Sequence, residues 1–196
     1  MNISIQQIGV FCLLCVLFYG VADAQTNINA KFGAETWSFK DEAEMKGASK
    51  HPGQMLGFDI LVEDNRFVFF AGFQYHRISL INEGQSFSLD FSEPHHAHYF
   101  MIPLTAGYTL FQSKEIKLSM LGGGEAVFYY DVDDNSLGFD ENDFYGVSTN
   151  LTAMLHAELF SLLTAEVRYH YGLLPVLKTR DDSKMRGWTL ALGVKF

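Results

Sequence analysis

The last nine residues alternate strictly between large apolar side chains and small or polar ones. The apolar set is Trp188, Leu190, Leu192, Val194 and Phe196. A period of two places one kind of side chain on each face of a β-strand. The segment therefore predicts a strand with one continuous apolar face that ends in an aromatic residue.

The same alternation recurs along the chain after residue 24. Eight segments carry it, and each has ten or more residues, the length that a tilted strand needs to cross a bilayer. The predicted strands are 27–39, 54–63, 66–77, 98–111, 115–130, 144–159, 162–172 and 186–196. No later segment has 18 consecutive apolar residues, so strands are the only predicted spanning elements.

The connections between these strands alternate in length. Three are short, 63–66, 112–114 and 160–161, and four are long, 40–53, 78–97, 131–143 and 173–185. An up-and-down barrel of eight strands with both ends on one side has three short turns and four long loops. The predicted fold is all-β, an eight-stranded antiparallel up-and-down transmembrane β-barrel with both termini periplasmic in a bacterial outer membrane.

The opposite face of the predicted strands carries charges of both signs. An eight-stranded barrel is just wide enough for side chains to fill it, and an unpaired buried charge costs several kcal/mol. We therefore predict an interior charge network of Lys117, Glu125, Glu158, Glu166, Arg168 and Lys195. Pro103 has no N–H to donate to a closed sheet, which predicts a local bulge.

Aromatic residues near the strand ends predict the two girdles that a membrane barrel places at the lipid–water interfaces. These residues are Trp37, Phe39, Tyr129, Tyr130, Tyr145, Tyr169, Tyr171 and Trp188. The lipid-facing stripe of the last strand, from Trp188 to Phe196, is further predicted to be the signal that the barrel assembly machinery reads.

The start of the chain predicts a secretory signal peptide at 1–24, followed by one barrel domain at 25–196. Residues 8–19 are continuously apolar, and Ala22-Asp23-Ala24 supplies a cleavage site. The segment before the apolar run has no Lys or Arg, which leaves a membrane anchor as the alternative, although the run is short for one. Cys12 and Cys15 both lie in this peptide, so the mature chain is predicted to have no disulfide and no Cys-based metal or redox site.

Net charge excludes another class of function. The chain carries -9, and removal of 1–24, which holds one acid and no base, leaves -8. Nucleic-acid binding needs a basic patch, and the sequence has none. No cofactor is expected.

Several segments resemble the small porin-family outer-membrane β-barrels, the group that includes PorT-like proteins. They are Tyr99-Phe-Met-Ile-Pro-Leu-Thr-Ala-Gly-Tyr108, Met120-Leu-Gly-Gly-Gly, Glu166-Val-Arg-Tyr-His-Tyr-Gly-Leu173 and the ending from Arg186 to Phe196. The resemblance covers essentially all of 25–196 and implies the barrel fold. It names no catalytic or binding residue.

Three local patterns are candidates for chemistry. Segment 131–143 is acidic and begins like a calcium loop, with Asp131, Asp133 and Asn135, but Asn142 stands where the loop needs Glu. His95, His96 and His98 have the spacing of zinc or copper ligands, with Glu93 nearby. A lipid-modifying barrel enzyme would need a Ser beside a His and an acid. The sequence places Ser148, His156 and Glu158 on one face of a strand, but Ser148 is eight residues from His156 and too far away. Ser119 is the alternative, if the neighbouring strand brings it close to His156.

The expected function is that of a structural or interaction barrel with a plugged lumen, not an enzyme. Its partners are outer-membrane lipid and lipopolysaccharide, the barrel assembly machinery and another envelope protein. A narrow pore or transport component is the alternative, and a lipid-modifying enzyme is less favoured. Specificity should lie in the loops, above all in 78–97, where Phe87, Leu89 and Phe91 alternate. This alternation predicts either a hairpin that extends above the membrane and binds a partner or a loop that folds back over the mouth of the barrel.

Overall fold

A computed structural model describes residues 25–39, 53–79, 96–134, 139–178 and 183–196, and the predicted signal peptide lies outside them. The strands are β1 (Gln25–Phe39), β2 (Gly53–Asp64), β3 (Phe67–Ser79), β4 (His96–Gln112), β5 (Ile116–Val132), β6 (Val147–Leu159), β7 (Leu163–Gly172) and β8 (Met185–Lys195). Each predicted strand exists, and the ends differ by three residues or fewer.

The eight strands form one closed barrel. Each strand pairs antiparallel with the next along the chain, and β8 pairs with β1. Short turns connect β2 to β3, β4 to β5 and β6 to β7, and β1 starts and β8 ends at this same end of the barrel. The all-β prediction is therefore confirmed, and each strand has a paired neighbour on both sides, so the sheet has no open edge in the membrane.

The apolar phase of each strand faces outwards. Phe32, Leu56, Leu104, Leu151 and Leu192 are each exposed by half or more of their surface. A water-soluble fold would bury such side chains, so the exposed belt indicates contact with lipid. Among the described residues no helix is both long and apolar enough to cross a bilayer.

The predicted bulge at Pro103 is wrong. On the β5 side Pro103 lies directly opposite Glu125, and on the β3 side the register is the same before and after it. Only the two pairs that would involve Ile102 and Pro103 are missing from the β3–β4 ladder, which is the local cost of the absent N–H. The bulges of β4 and β5 lie elsewhere, beside His98 and beside Thr109.

The turn between β6 and β7 is tight and strained. Phe160 and Ser161 have φ of 54° and 57°, and the N–H of Leu162 donates to the carbonyl of Leu159 at 3.1 Å. Two left-handed central residues define the hairpin turn whose twist matches that of paired strands. This turn lies at the same end of the barrel as the other two short turns.

Candidate functional site: the barrel interior and its rim

The centre of the barrel is filled by a buried ion network around Arg168. Its guanidinium nitrogens lie 3.2 Å from Glu166 Oε2 and 3.5 Å from Glu125 Oε1, and Nη1 also donates to Gln74 Oε1 at 3.3 Å. All four side chains are less than 5% exposed. Each of these buried charges has a partner of opposite sign, which avoids the several kcal/mol that an unpaired buried charge would cost.

Further pairs extend this network across the lumen. Lys31 Nζ lies 2.8 Å from Glu166 Oε2 and also pairs with Asp59. Two histidines are each held by a carboxylate: His170 Nδ1 lies 2.7 Å from Glu125 Oε2, and His76 Nδ1 lies 2.6 Å from Glu35 Oε2. Strands on opposite sides of the barrel are thereby tied together through its middle.

Two ion pairs stand at the short-turn end of the lumen. Lys195 Nζ lies 2.5 Å from Glu158 Oε2, and Lys117 pairs with Glu63. Both pairs border a polar cavity of about 190 Å³ that opens at this end. An apolar cluster of Leu61, Val68, Phe70, Leu121 and Met154 packs in the same half of the barrel.

All six residues of the predicted charge network lie inside the barrel, but they do not form one group. Arg168 joins Glu125 and Glu166, whereas Lys195 and Glu158 form a separate pair and Lys117 binds Glu63. Lys31, Glu35, Asp59 and Glu63 also belong to these networks. The strand phase could have identified Glu63, since it alternates with the inward-facing Asp59 and Leu61.

The long-loop end of the lumen is closed by an apolar cluster. Its buried members are Trp37, Ile78, Ala97, Tyr99, Met101, Val127, Phe144, Val176, Leu177 and Met185. Phe144 and Leu177 come from two different loops, form an isolated β-bridge with each other, and are 2% and 0% exposed. The loops thus insert apolar side chains into the mouth of the barrel.

Two of the predicted girdle aromatics belong to this interior cluster instead. Trp37 is 6% exposed and its ring centroid lies 4.8 Å from that of His170, while Tyr129 donates its hydroxyl to Met185 Sδ at 2.9 Å. Their strand phase, shared with Glu35 and Val127, explains the error. Tyr130, Tyr145, Tyr169, Tyr171 and Trp188 do lie on the outer face, and the side chain of Phe39 lies outside the described residues.

The residues of the Ser-His-acid candidate are buried among the side chains that fill the barrel. Ser119 lies opposite His156 on the neighbouring strand, and His156 Nδ1 lies 3.3 Å from Glu166 Oε1. The Ser119 hydroxyl instead pairs with Thr109 Oγ1 at 3.2 Å, and Ser119 and His156 are 1% and 2% exposed. Both side chains therefore belong to the packed interior of the barrel and not to its lipid-facing surface. The Ser148 hydroxyl donates to the carbonyl of Leu174 at 3.5 Å instead.

The histidine and aspartate candidates meet on the outer rim of the long-loop end. His98 lies opposite Asp131 in the β4–β5 ladder, and its Nε2 lies 3.3 Å from Asp133 Oδ2. His96 Nδ1 lies 3.7 Å from the same oxygen. His95, Glu93 and Asn135 lie outside the described residues, so the calcium-loop pattern stays a prediction.

Comparison with solved structures shows the same fold in a protein of distant sequence, and two further barrels match less closely. Neisserial surface protein A (NspA) matches with a TM-score of 0.58 and 15% identity, over 88% of this chain and 97% of that one. Ail, the attachment invasion locus protein of Yersinia pestis, in complex with the heparin analogue sucrose octasulfate, matches with a TM-score of 0.49 and 15% identity, over 88% and 99%. The outer membrane enzyme PagL matches with a TM-score of 0.49 and 14% identity, over 86% and 98%.

No protein-family model and no curated protein matches the chain. The closed ring of eight strands and the match with NspA show that the protein has the eight-stranded fold of outer-membrane β-barrels. The finer resemblance to PorT-like proteins stays a prediction.

Proposed function

We propose that this protein is an integral outer-membrane barrel that acts as a structural or interaction protein, with a plugged lumen and four outer loops. The observation that carries the proposal is the filling of the lumen. The Arg168 network crosses the middle, and the cluster containing Phe144 and Leu177 occupies the loop-end mouth. A barrel filled in this way presents its loops, not its interior, to other molecules.

Single-channel recording of the purified protein in planar bilayers tests the plugged lumen. We expect no steady conductance, because buried ion pairs and apolar side chains occupy the path. The alternative, a narrow pore or transport component, predicts reproducible current steps. Those steps would have to change in Arg168→Ala and Glu158→Ala, which alter the path, and stay the same in Arg66→Ala, an exposed turn residue. Such a result would replace the proposal with a pore.

The outer membrane is the proposed location, with the short turns and both ends of the chain in the periplasm. The exposed apolar belt supports membrane insertion, and the difference in loop length supports this orientation. The surrounding lipid and lipopolysaccharide and the barrel assembly machinery are then its general partners. The PorT-like family stays the proposed relationship, supported by the Ile-Pro-Leu strand and the Arg168–Leu173 segment.

A specific protein partner is proposed to bind through the long loops, above all through segment 78–97. This segment combines Ile81, Phe87, Leu89 and Phe91 with polar residues. Deletion of 82–94 tests the idea by pull-down from detergent extracts. We expect the barrel to assemble and a co-purifying envelope protein to disappear. Unchanged capture by the deletion variant would move the contact to the barrel wall or the periplasmic turns.

A lipid-modifying activity has little support. The Ser119 hydroxyl and His156 are enclosed, whereas an enzyme of the outer leaflet needs its nucleophile where acyl chains can reach it. We therefore propose that the protein is not an enzyme.

A further inference from the structure

One His-X-His pair and one Asp-X-Asp pair face each other where β4 begins and β5 ends, at the long-loop end of the barrel. Residues two apart on a strand point to the same side, so His96 and His98 share one face. Asp131 lies opposite His98, and the N–H of Asp133 donates to the carbonyl of His96 at 2.8 Å. The four side chains therefore lie close together, with His96 and His98 on β4, Asp131 on β5 and Asp133 directly after the end of β5.

A β-bulge turns the aspartates towards the histidines. Tyr129 pairs with Tyr99 and Asp131 with His98, so Tyr130 is the additional residue of β5. Below the bulge the odd-numbered residues of β5, such as Glu125 and Val127, point into the lumen. Beyond it Val132 packs against the interior cluster, which leaves Asp131 and Asp133 on the outer side. Bulges commonly re-aim side chains at barrel rims and functional sites.

The distances suit a single cation. One ligand atom from each of His98, Asp131 and Asp133 lies within 4.8 Å of the other two. Tetrahedral ligands about 2.0–2.2 Å from Zn²⁺ are about 3.4 Å apart, so small side-chain movements would bring these atoms into coordination. The three residues are only partly buried, which leaves the site open to ions from solution.

The surroundings orient the imidazole of His98. Its Nδ1 lies 2.7 Å from the Tyr75 hydroxyl, which leaves Nε2 directed towards Asp133. A hydrogen bond on one ring nitrogen that directs the other to the metal is typical of histidine ligands. His96 is held through Nδ1 by Arg77 Nη2 at 3.0 Å, so the fourth position falls to water or to a rearranged His96.

We propose that His98, Asp131 and Asp133 form a binding site for a divalent transition-metal ion, with Zn²⁺ as the representative, on the outer rim of the barrel. The imidazole nitrogen distinguishes such a site from one for Ca²⁺ or Mg²⁺, which take oxygen ligands. The site is independent of the plugged lumen and of any protein partner.

Zinc titration of the full chain tests the proposal. The protein is purified from membranes without a histidine tag, stripped with chelator, and titrated with Zn²⁺ against a chromogenic zinc indicator. We expect one Zn²⁺ per chain and no displacement by excess Mg²⁺ or Ca²⁺. His98→Gln and Asp133→Asn should each weaken binding at least about tenfold, and Co²⁺ should give a visible spectrum that His98→Gln removes.

Glu141→Gln is the matched control, because it removes an exposed acid from the neighbouring loop without touching the cluster. Heat-modifiable gel mobility verifies that every variant is a folded barrel. Failure of the folded natural chain to bind Zn²⁺, binding that is unchanged in His98→Gln and Asp133→Asn, or equal affinity for Ca²⁺ would overturn the proposal.

Discussion

At the residue scale, the narrow barrel depends on glycines whose missing side chains let neighbouring strands approach closely. A Cβ added to Gly123 would lie 2.0 Å from the Leu104 carbonyl oxygen and 2.7 Å from Thr105 Cα. Both atoms are backbone, so the ladder itself would have to shift. At the adjacent Gly122, on the outer face, the nearest atom would be the Thr152 carbonyl oxygen at 3.6 Å.

These two neighbours provide a matched pair of substitutions. Gly123→Ala should lower the free energy of unfolding by about 1–3 kcal/mol, the usual cost of overpacking. Gly122→Ala should be neutral or slightly stabilising, since alanine restricts the unfolded chain. Urea titration of the lipid-reconstituted barrel, followed by heat-modifiable gel mobility, measures both. Equal effects of the two changes would contradict the close approach at Gly123.

The sequence predicts that the charges inside the barrel are paired, but it does not predict which residues form each pair. Strand phase identified the inward-facing acids and bases, but the partners depend on which side chains face each other across the lumen. Lys117 binds Glu63, which precedes the β2–β3 turn, although Glu158 is its neighbour in the ladder. Distances across the lumen follow from closure and stagger of the barrel, and neither is encoded in a local pattern.

At the element scale, alternation identified all eight strands because lipid and a packed lumen impose opposite requirements on the two faces. The predicted aromatic girdle is wrong at two positions, because nearness to the end of a strand does not determine which face of the strand a side chain occupies. Trp37 and Tyr129 are near strand ends, yet both are on the inward phase and close the mouth of the barrel. The bulge at Tyr130 was not predictable, since the sequence there continues without a glycine or an obvious interruption.

The last strand supports a prediction about assembly. Its apolar residues from Trp188 to Phe196 face outwards, and the backbone of Phe196 exchanges hydrogen bonds of 2.8 and 3.1 Å with Ile28 on β1. Phe196→Asp should strongly reduce the amount of protein in the outer membrane, because it removes the proposed recognition signal. The direct energetic cost of a carboxylate near an interface is only about 1 kcal/mol or less.

Lys195→Gln is the comparison for this prediction. It changes the adjacent residue on the inward phase and breaks the pair with Glu158, so stability should fall while membrane insertion continues. Quantitative blotting of membrane fractions and urea titration separate the two effects. Normal outer-membrane levels of Phe196→Asp would show that the terminal aromatic carries no assembly signal.

At the scale of the whole molecule, the interior is arranged in layers that the strands hold together. Ion pairs stand at the turn end, the Arg168 network crosses the middle, and apolar side chains from two loops close the other mouth. The fold and the general filling of the lumen were predictable, because both follow from strand number and phase. The part played by Phe144 and Leu177 was not, because loop residues have no periodic pattern that reveals burial.

The orientation of the barrel in the membrane gives a prediction that uses the absence of cysteine after residue 24. Ser113→Cys introduces a thiol in the turn between β4 and β5, and Glu141→Cys introduces one in the loop between β5 and β6; both positions are exposed. If the long loops face outwards, a membrane-impermeant maleimide should label Glu141→Cys on intact cells and Ser113→Cys only after the outer membrane is permeabilised. The natural chain is the unlabelled control, since removal of the predicted signal peptide would take away both Cys12 and Cys15. The opposite labelling pattern would place the short turns at the cell surface and reverse the proposed orientation, and with it the side from which Zn²⁺ or a partner could reach the rim.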